Sequence, residues 1–361
     1  MKLRCPQWLF LLSLSWLNLS AYSAGTELLP IRGLHCGVPG PNDVAMCAKF
    51  IREALPKEGV NTLVLEINYK YQFKRHPELA QEGALSQADV EELVAACKDA
   101  GVQLIPQFNC LGHQSWSRHT FPLLTKYPEF DESPGKYPDN EGIYCRSYCP
   151  LHPNVHQVVF ALIDELAEVF QAGAFHVGMD EVFILGDEDC PRCQTKSKAE
   201  LFAGEVTALH DHLARSQRTM WMWSDRFING EITGIGEWEA SQNGTEAAIL
   251  QVPKDIVMCD WHYEKAHATA PYFALHGFPV VSCPWRKADV ALGQLEIIQK
   301  VRQYANEPVK QRMLGVLQTT WCGMSSFVRA YNGEEGVRSE SARESADCFK
   351  KLFAAIREMK N

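Results

Sequence analysis

Two adjacent carboxylates, Asp180 and Glu181, close the run Phe175-His176-Val177-Gly178-Met179-Asp180-Glu181-Val182-Phe183. Acids at the end of an apolar segment are costly to bury unless they are used or paired. A carboxyl group held in a pocket can give a proton to a leaving oxygen and later take one from water. Strand alternation puts His176, Gly178 and Asp180 on one side, and Glu181 turns toward the same mouth only where the strand ends. The same pair would also suit an exposed strand terminus, so it has to be weighed with the rest of the chain.

A second group of polar and aromatic residues follows Pro106-Gln107-Phe108-Asn109, where Leu111-Gly112-His113-Gln114-Ser115-Trp116 brings a histidine and a tryptophan to the end of another apolar run. A third is a series of tryptophans at the ends of such runs: Trp221 and Trp223 before Asp225, Trp261 after Asp260, Trp285 after Cys283, and Trp321 after Thr320. Aromatic faces suit the C–H side of a sugar ring, while nearby carboxylates take its hydroxyls. Core packing accounts for one or two of these tryptophans; their repeated placement at strand ends favours a carbohydrate pocket.

The elements that must position these residues are legible as alternating short β-rich runs and longer helical stretches. The strands are expected at Ile31 to Cys36, Thr62 to Ile67, Gln103 to Gln107, Ala174 to Gly178, Thr219 to Ser224, Ile256 to Trp261, Pro279 to Cys283 and Leu314 to Thr319. Several are continuous apolar runs, as strands covered on both faces should be. Helical periodicity is clearest over Ser86 to Ala100, Val155 to Gln171, Lys198 to Arg215, Ala288 to Tyr304 and Ser341 to Met359. Eight strand–helix alternations predict an α/β fold, a single-domain (β/α)8 TIM barrel. An open doubly wound sheet is the competitor, but the chain has neither GxGxxG nor GxxxxGK[ST]. In a barrel, loops after strands form the catalytic face, which makes the long connection from Asn109 to Pro150 an expected pocket wall.

With 46% hydrophobic and 22% charged residues, the chain has ordinary globular composition. Lys2 and Arg4, an apolar stretch from Trp8 to Leu19, and small residues Ala21, Ser23 and Ala24 read as a signal peptide over residues 1–24, leaving a catalytic domain over 25–361. The stretch is too short for a comfortable bilayer span. An exported chain is therefore expected, periplasmic or extracellular, with no membrane span in the mature form. Loss of Lys2 and Arg4 moves the net charge from -9 to -11. That sign argues against a nucleic-acid partner, since phosphate binding wants a basic face.

Cys145 and Cys149 fall in the loop after the third strand, and Cys190-Pro191-Arg192-Cys193 in the loop after the fourth. Neighbouring barrel loops could bring all four thiols together as a structural zinc site or as two disulfides. The export signal tips the expectation toward disulfides. No cofactor and no catalytic metal are expected.

Taken together, these segments resemble glycoside hydrolase family 20, the β-N-acetylhexosaminidases. His176-Val177-Gly178-Met179-Asp180-Glu181 matches the family's H-x-G-x-D-E signature throughout, and the likeness runs from Arg32-Gly33 through Leu111-Gly112-His113 to Trp321. Without room for the accessory domain many members carry, the chain looks closer to the compact, hexosaminidase-D-like branch. The resemblance implies substrate-assisted retention, in which the sugar's own 2-acetamido oxygen attacks the anomeric carbon. Glu181 is then the general acid and base, and Asp180 orients the acetamido N–H. By the same analogy Arg32 binds outer hydroxyls, Trp223, Trp261 and Trp321 form an aromatic wall, and Asp225 contacts a hydroxyl. His113 and Trp285 complete the expected substrate-binding set.

Two departures from the family pattern matter. Members generally supply a tyrosine from the seventh strand, where this chain has Cys283-Pro284-Trp285; the nearest substitute is Tyr263. The eighth strand commonly ends in a tryptophan followed by an acid, whereas Trp321 is followed by Cys322-Gly323-Met324. The expected substrate is thus an N-acetylhexosamine-containing glycan, with the choice between GlcNAc and GalNAc open. Two other readings stay open: a retaining glycosidase using Asp225 or Glu237 as nucleophile, and a non-catalytic sugar-binding barrel.

Overall fold

A computed structural model describes residues 29–359; the expected leader over 1–24 lies outside the described residues. Eight parallel strands pair in sequence order: β1 (Ile31–Gly37), β2 (Thr62–Glu66), β3 (Gln103–Cys110), β4 (Ala174–Gly178), β5 (Thr219–Trp223), β6 (Val257–Trp261), β7 (Val280–Cys283) and β8 (Met313–Gly323). Strand β8 returns to β1, with Ile31 opposite Gly315 and Gly33 opposite Leu317, and closes the (β/α)8 barrel that the alternation predicts. Gly315 permits that closure: at φ +140° a β-carbon there would lie 2.0 Å from the Ile31 carbonyl oxygen.

The barrel is filled rather than hollow. Ile31, Val64, Ile105, Ala174, Trp221, Val257 and Val281, one from each of the first seven strands, are fully buried in its interior cluster, each large side chain contributing roughly 1.5–3 kcal/mol by leaving water. Trp221 is one of these fillers and takes no part in the pocket.

Outside lie α1 (Val44–Glu53), α2 (Gln87–Ala100), α3 (Val155–Val169), α4 (Lys198–Arg215), α5 (Ala270–Leu275), α6 (Ala288–Tyr304), α7 (Met324–Tyr331) and α8 (Glu340–Glu358). Ser86 and Ser197 start α2 and α4 with reciprocal capping boxes to Asp89 and Glu200, and Gly101 ends α2 in the left-handed conformation at φ +65°. One expected alternation is missing. Between β5 and β6 the α-helical part is a four-residue turn, Gly230–Thr233, with short 3-10 helices at Asp225–Phe227 and Glu246–Leu250, because the segment carries Gly230, Gly234, Gly236 and Gly244 and wraps instead around the buried Arg226, whose Nη2 donates to the carbonyls of Glu237, Trp238 and Ala240.

The long connection after β3 is ordered from within. It forms a two-stranded ribbon, Ser115–Trp116 against His119–Thr120, and an isolated Asp131–Tyr148 bridge. The buried Arg146 guanidinium donates to Asp131 Oδ2 and Asn140 Oδ1, each at 2.5 Å. No helix among the described residues is long and apolar enough to cross a membrane.

Candidate active site

Strand β4 ends at Gly178, and the backbone then turns sharply: Gly178, Met179 and Glu181 take φ of +70°, +76° and +48°. Non-glycine residues enter this region at a cost of roughly 1–3 kcal/mol each. The turn lets two neighbouring acids aim at one point, for Asp180 Oδ2 and Glu181 Oε2 both lie 3.3 Å from His113 Nε2. Gly178 is required here for a second reason: a β-carbon would sit 2.6 Å from Asn109 Oδ1 and 2.9 Å from Asn109 Cα.

Burial alone would lower the pKa of His113, but Asp180, Cys145 and Glu181 together raise it well above 6.5. His113 thus faces both acids with its protonated form favoured. Tyr144 closes the other side. Burial first and Glu181 second push its phenol pKa up, so the hydroxyl faces Glu181 as a donor. Asp180 Oδ1, by contrast, is buried with no hydrogen-bond partner among the described residues.

Asp225, just beyond β5, lies behind the pair. Its Oδ2 accepts from the Glu181 backbone N–H at 3.0 Å and from Arg226 Nε at 2.7 Å, while Oδ1 accepts from Trp261 Nε1 at 3.2 Å. Burial pushes its pKa up, Arg226 draws it down and Asp180 adds repulsion, with a net value of about 6. The expected hydroxyl contact at Asp225 is thus revised: the side chain is 1% exposed with both oxygens occupied, so it holds Glu181 rather than a sugar. Occupied in this way it is also a poor nucleophile, and Glu237, on the exposed segment after β5, is not placed to replace it.

The aromatic residues assemble from four strands. Trp261 stacks on Tyr263 with centroids 5.0 Å apart, Tyr263 meets Trp285 edge-on at 5.3 Å, and Trp321 packs on Trp223 at 5.4 Å. Trp321 Nε1 donates to the Tyr263 hydroxyl at 2.6 Å, and Trp285 Nε1 to the Thr320 carbonyl at 3.0 Å. Trp223 is fully buried between Trp321, His35 and His176; it is the floor of the cluster, not the wall expected from its position. His176 is held neutral, its pKa lowered well below 6.5 by burial and by the nearby His35.

Arg32 is a clear correction. It is the second residue of β1, at the N-terminal rim, where Nε donates to the Gly59 carbonyl at 2.8 Å and Nη1 to that of Leu29 at 2.7 Å. The acids lie at the opposite rim. The strand assignment was right, but a residue at a strand's start cannot reach the groups at its end, about 3.3 Å per residue away.

Several residues of the site escaped the sequence reading. Glu66, Asn68, Gln107 and Asn109 form a hydrogen-bonded shelf at the ends of β2 and β3, with Gln107 also bonded to His35 at 2.9 Å. Their period-2 polar placement at strand ends was the available signal. At the outer rim, Tyr144 meets Trp116, Phe183 and Trp238 at 5.2, 5.7 and 4.9 Å, with Trp116 and Trp238 about half exposed. Nothing in the local sequence marks Tyr144 or Trp238, which lie in irregular loops. A groove beside the ribbon, lined by Glu78, Gln81, Trp116 and Phe121, holds neither acid.

The cysteine expectation also changes. The twelve cysteines of the described residues are all free thiols. Cys149 approaches Cys190 and Cys193, but Cys145 stands apart, its thiol directed to the Glu181 carbonyl at 3.7 Å. The four do not form one cluster.

The family model "Glycosyl hydrolase family 20, catalytic domain" matches residues 63–326. The chain is similar to a beta-hexosaminidase of Vibrio furnissii, 24% identical over 272 residues that cover 75% of this chain and 38% of the relative. It is also similar to a beta-hexosaminidase of Akkermansia muciniphila, 28% identical over 155 residues, 40% of this chain and 30% of the relative. The chain thus spans less than half the length of these curated relatives. Among solved structures, its fold is similar to that of a Flavobacterium johnsoniae chitobiase, with a TM-score of 0.60 at 17% identity over 91% of this chain and 51% of the other. Dispersin B gives 0.53 at 15% identity, covering 91% and 99%.

Proposed function

This chain belongs to glycosyl hydrolase family 20, and from that membership we propose that it is a retaining β-N-acetylhexosaminidase acting on N-acetylhexosamine-containing glycans. The reaction is substrate-assisted. As the 2-acetamido oxygen bonds to the anomeric carbon, the glycosidic C–O bond breaks and Glu181 gives its proton to the leaving oxygen. Glu181 then takes a proton from water as that water opens the oxazolinium intermediate, which regenerates the acid.

The observation that carries this reading is the state of Asp180. One oxygen is engaged by His113, while the other is a buried acceptor without a protein partner. A buried acceptor of this kind calls for an N–H donor, and the acetamido group supplies one whose positive charge grows as its oxygen attacks. Ordinary β-glucosides have no such N–H. Trp261, Tyr263, Trp285 and Trp321 offer the sugar its aromatic surface, and Tyr263, rather than a seventh-strand tyrosine, is the hydroxyl assigned to the acetamido group. Residues 1–24 direct export on this reading.

The test is an assay of the purified chain with chromogenic β-N-acetylglucosaminide, β-N-acetylgalactosaminide and β-glucoside, each with and without an oxazoline-mimicking thiazoline. Turnover restricted to the two N-acetyl sugars and blocked by the thiazoline is expected. Rapid cleavage of the glucoside, insensitive to the thiazoline, would instead mean a carboxylate nucleophile.

A further inference from the structure

The loops after β3 and β4 meet in a second cluster of reactive side chains that the proposed chemistry does not use. Cys149 Sγ lies 3.6 Å from Cys190 Sγ and 3.5 Å from Cys193 Sγ. Glu132 joins them, and one ligand atom from each of the four residues falls within 4.8 Å of the others. All four residues are at most 2% exposed.

Three spacings decide what such a cluster is for. A disulfide needs sulfurs about 2.05 Å apart, well inside the observed separations, and three thiols cannot all be paired. Thiolates bound tetrahedrally at about 2.3 Å from a zinc ion stand about 3.8 Å from one another, close to the observed distances. Cys190-Pro191-Arg192-Cys193 has the C-x-x-C spacing of a zinc knuckle, and its turn is closed by the N–H groups of Cys193 and Gln194, which donate to the Cys190 carbonyl at 3.2 and 3.0 Å.

Glu132 supplies the independent sign of a cation. Its Oε1 accepts from the backbone N–H groups of Gly186 and Asp187 at 2.9 and 3.2 Å, which fixes the carboxylate. A Glu132 carboxylate oxygen lies within 4.8 Å of the three sulfurs, and its Oε2 is buried with no hydrogen-bond partner among the described residues. A buried carboxylate oxygen facing three thiols is poorly satisfied unless something positive lies between them.

We propose that Cys149, Cys190, Cys193 and Glu132 form a structural zinc site that staples the loop after β3 to the loop after β4. Three thiol protons leave to solvent as the Zn–S bonds form, and Glu132 Oε2 is the fourth ligand. With four protein ligands the site is closed, so it has no open position for catalysis. The backbone donors to Glu132 Oε1 are the outer support that orients it.

The position gives the staple its role. Cys149 N–H donates to the Phe130 carbonyl at 2.6 Å and Glu132 N–H to that of Ser147 at 3.1 Å, so both ligands of the first loop belong to one stiff segment. That loop also carries His113 and Tyr144, and the second carries Asp180, Glu181 and Phe183. A zinc ion at their junction would set how closely the two walls of the pocket approach.

Metal analysis of the full chain, purified without chelators or immobilised metal, tests this independently of glycosidase activity. About one zinc per chain is expected, released in step with mercurial titration of three thiols. Cobalt exchanged into the wild-type protein should show thiolate-to-cobalt charge transfer in the near ultraviolet, a readout that needs no variant to fold. Cys145→Ser should keep its zinc, Cys149→Ser and Cys193→Ser should lose it, and Glu132→Gln should weaken zinc binding about 10- to 100-fold. Metal-free protein with all three thiols directly titratable, a disulfide among them by mass spectrometry, or full zinc retention in Cys149→Ser would overturn the proposal. Failure of the N-acetylhexosaminide assay alone would leave each of these readouts unchanged.

Discussion

The Asp225 carboxylate accepts the backbone N–H of Glu181 at 3.0 Å, tying the end of β5 to the residue that turns away from β4. Glu181 holds a left-handed backbone at φ +48°, and this bond, together with the His113 contact, fixes where its side chain points. The proton donor of the proposed reaction is thus positioned by an acid that never needs to touch substrate.

Asp225→Asn exchanges one of two acceptor oxygens for an amide facing donors, and leaves the buried Arg226 charge without its counter-ion. A stability loss of roughly 3 kcal/mol is expected, with kcat falling about 10- to 100-fold and KM changing less. Denaturant titration and steady-state kinetics check the two effects; wild-type values in both would remove Asp225 from the positioning role.

Gly178→Ala should be far worse than its chemistry suggests, because the new methyl group meets the Asn109 side chain and backbone under 3 Å. Gly101→Ala is the control: its φ is +65°, but nothing lies within 4 Å. The control should cost about 1 kcal/mol and spare activity, while Gly178→Ala loses several times more stability and at least tenfold in turnover. Equal melting temperatures for the two variants would contradict the close approach.

Tyr263→Phe keeps the stack on Trp261 and removes the hydroxyl that accepts Trp321 Nε1. KM for the N-acetylglucosaminide should rise about tenfold, equivalent to 1.4 kcal/mol. An unchanged KM and kcat would move the acetamido contact elsewhere.

His262 gives a pH signature of the fold. Burial lowers its pKa, but Asp260 and then Glu239 outweigh that and raise it from 6.5 to about 9. Because the folded value is the higher one, the stabilisation is complete below pH 6.5 and is lost as pH rises through 9, up to roughly 3 kcal/mol in all. The stability gap between wild type and His262→Gln should therefore shrink between pH 6.5 and 9.5. A gap that stays constant across that range would mean the histidine is neutral throughout.

The barrel was legible because eight apolar β-rich runs each carry a local signal and alternate with helical stretches in every interval but the one between β5 and β6. The acid pair was legible for the same reason, lying on one strand end. What escaped depends on position along a strand or on distant partners. Arg32 was assigned to the correct strand and the wrong rim, since a run of seven residues does not say which end a long side chain follows. Trp223 stands at a strand end like the wall residues, but its burial depth is set by Trp321, almost a hundred residues away. Glu132 has no sequence proximity to the cysteines it approaches, and Cys145, four residues from Cys149, points to the acid pair instead.

The central claim rests on Glu181 as proton donor beside Asp180. It is tested most directly by comparing turnover of a chromogenic β-N-acetylglucosaminide by wild type, Glu181→Gln and Asp180→Asn, with melting temperatures measured alongside. The expected result is a fall of about 10²- to 10⁴-fold for Glu181→Gln and a marked loss for Asp180→Asn, both with melting temperatures close to wild type. Wild-type turnover by both folded variants would contradict the account.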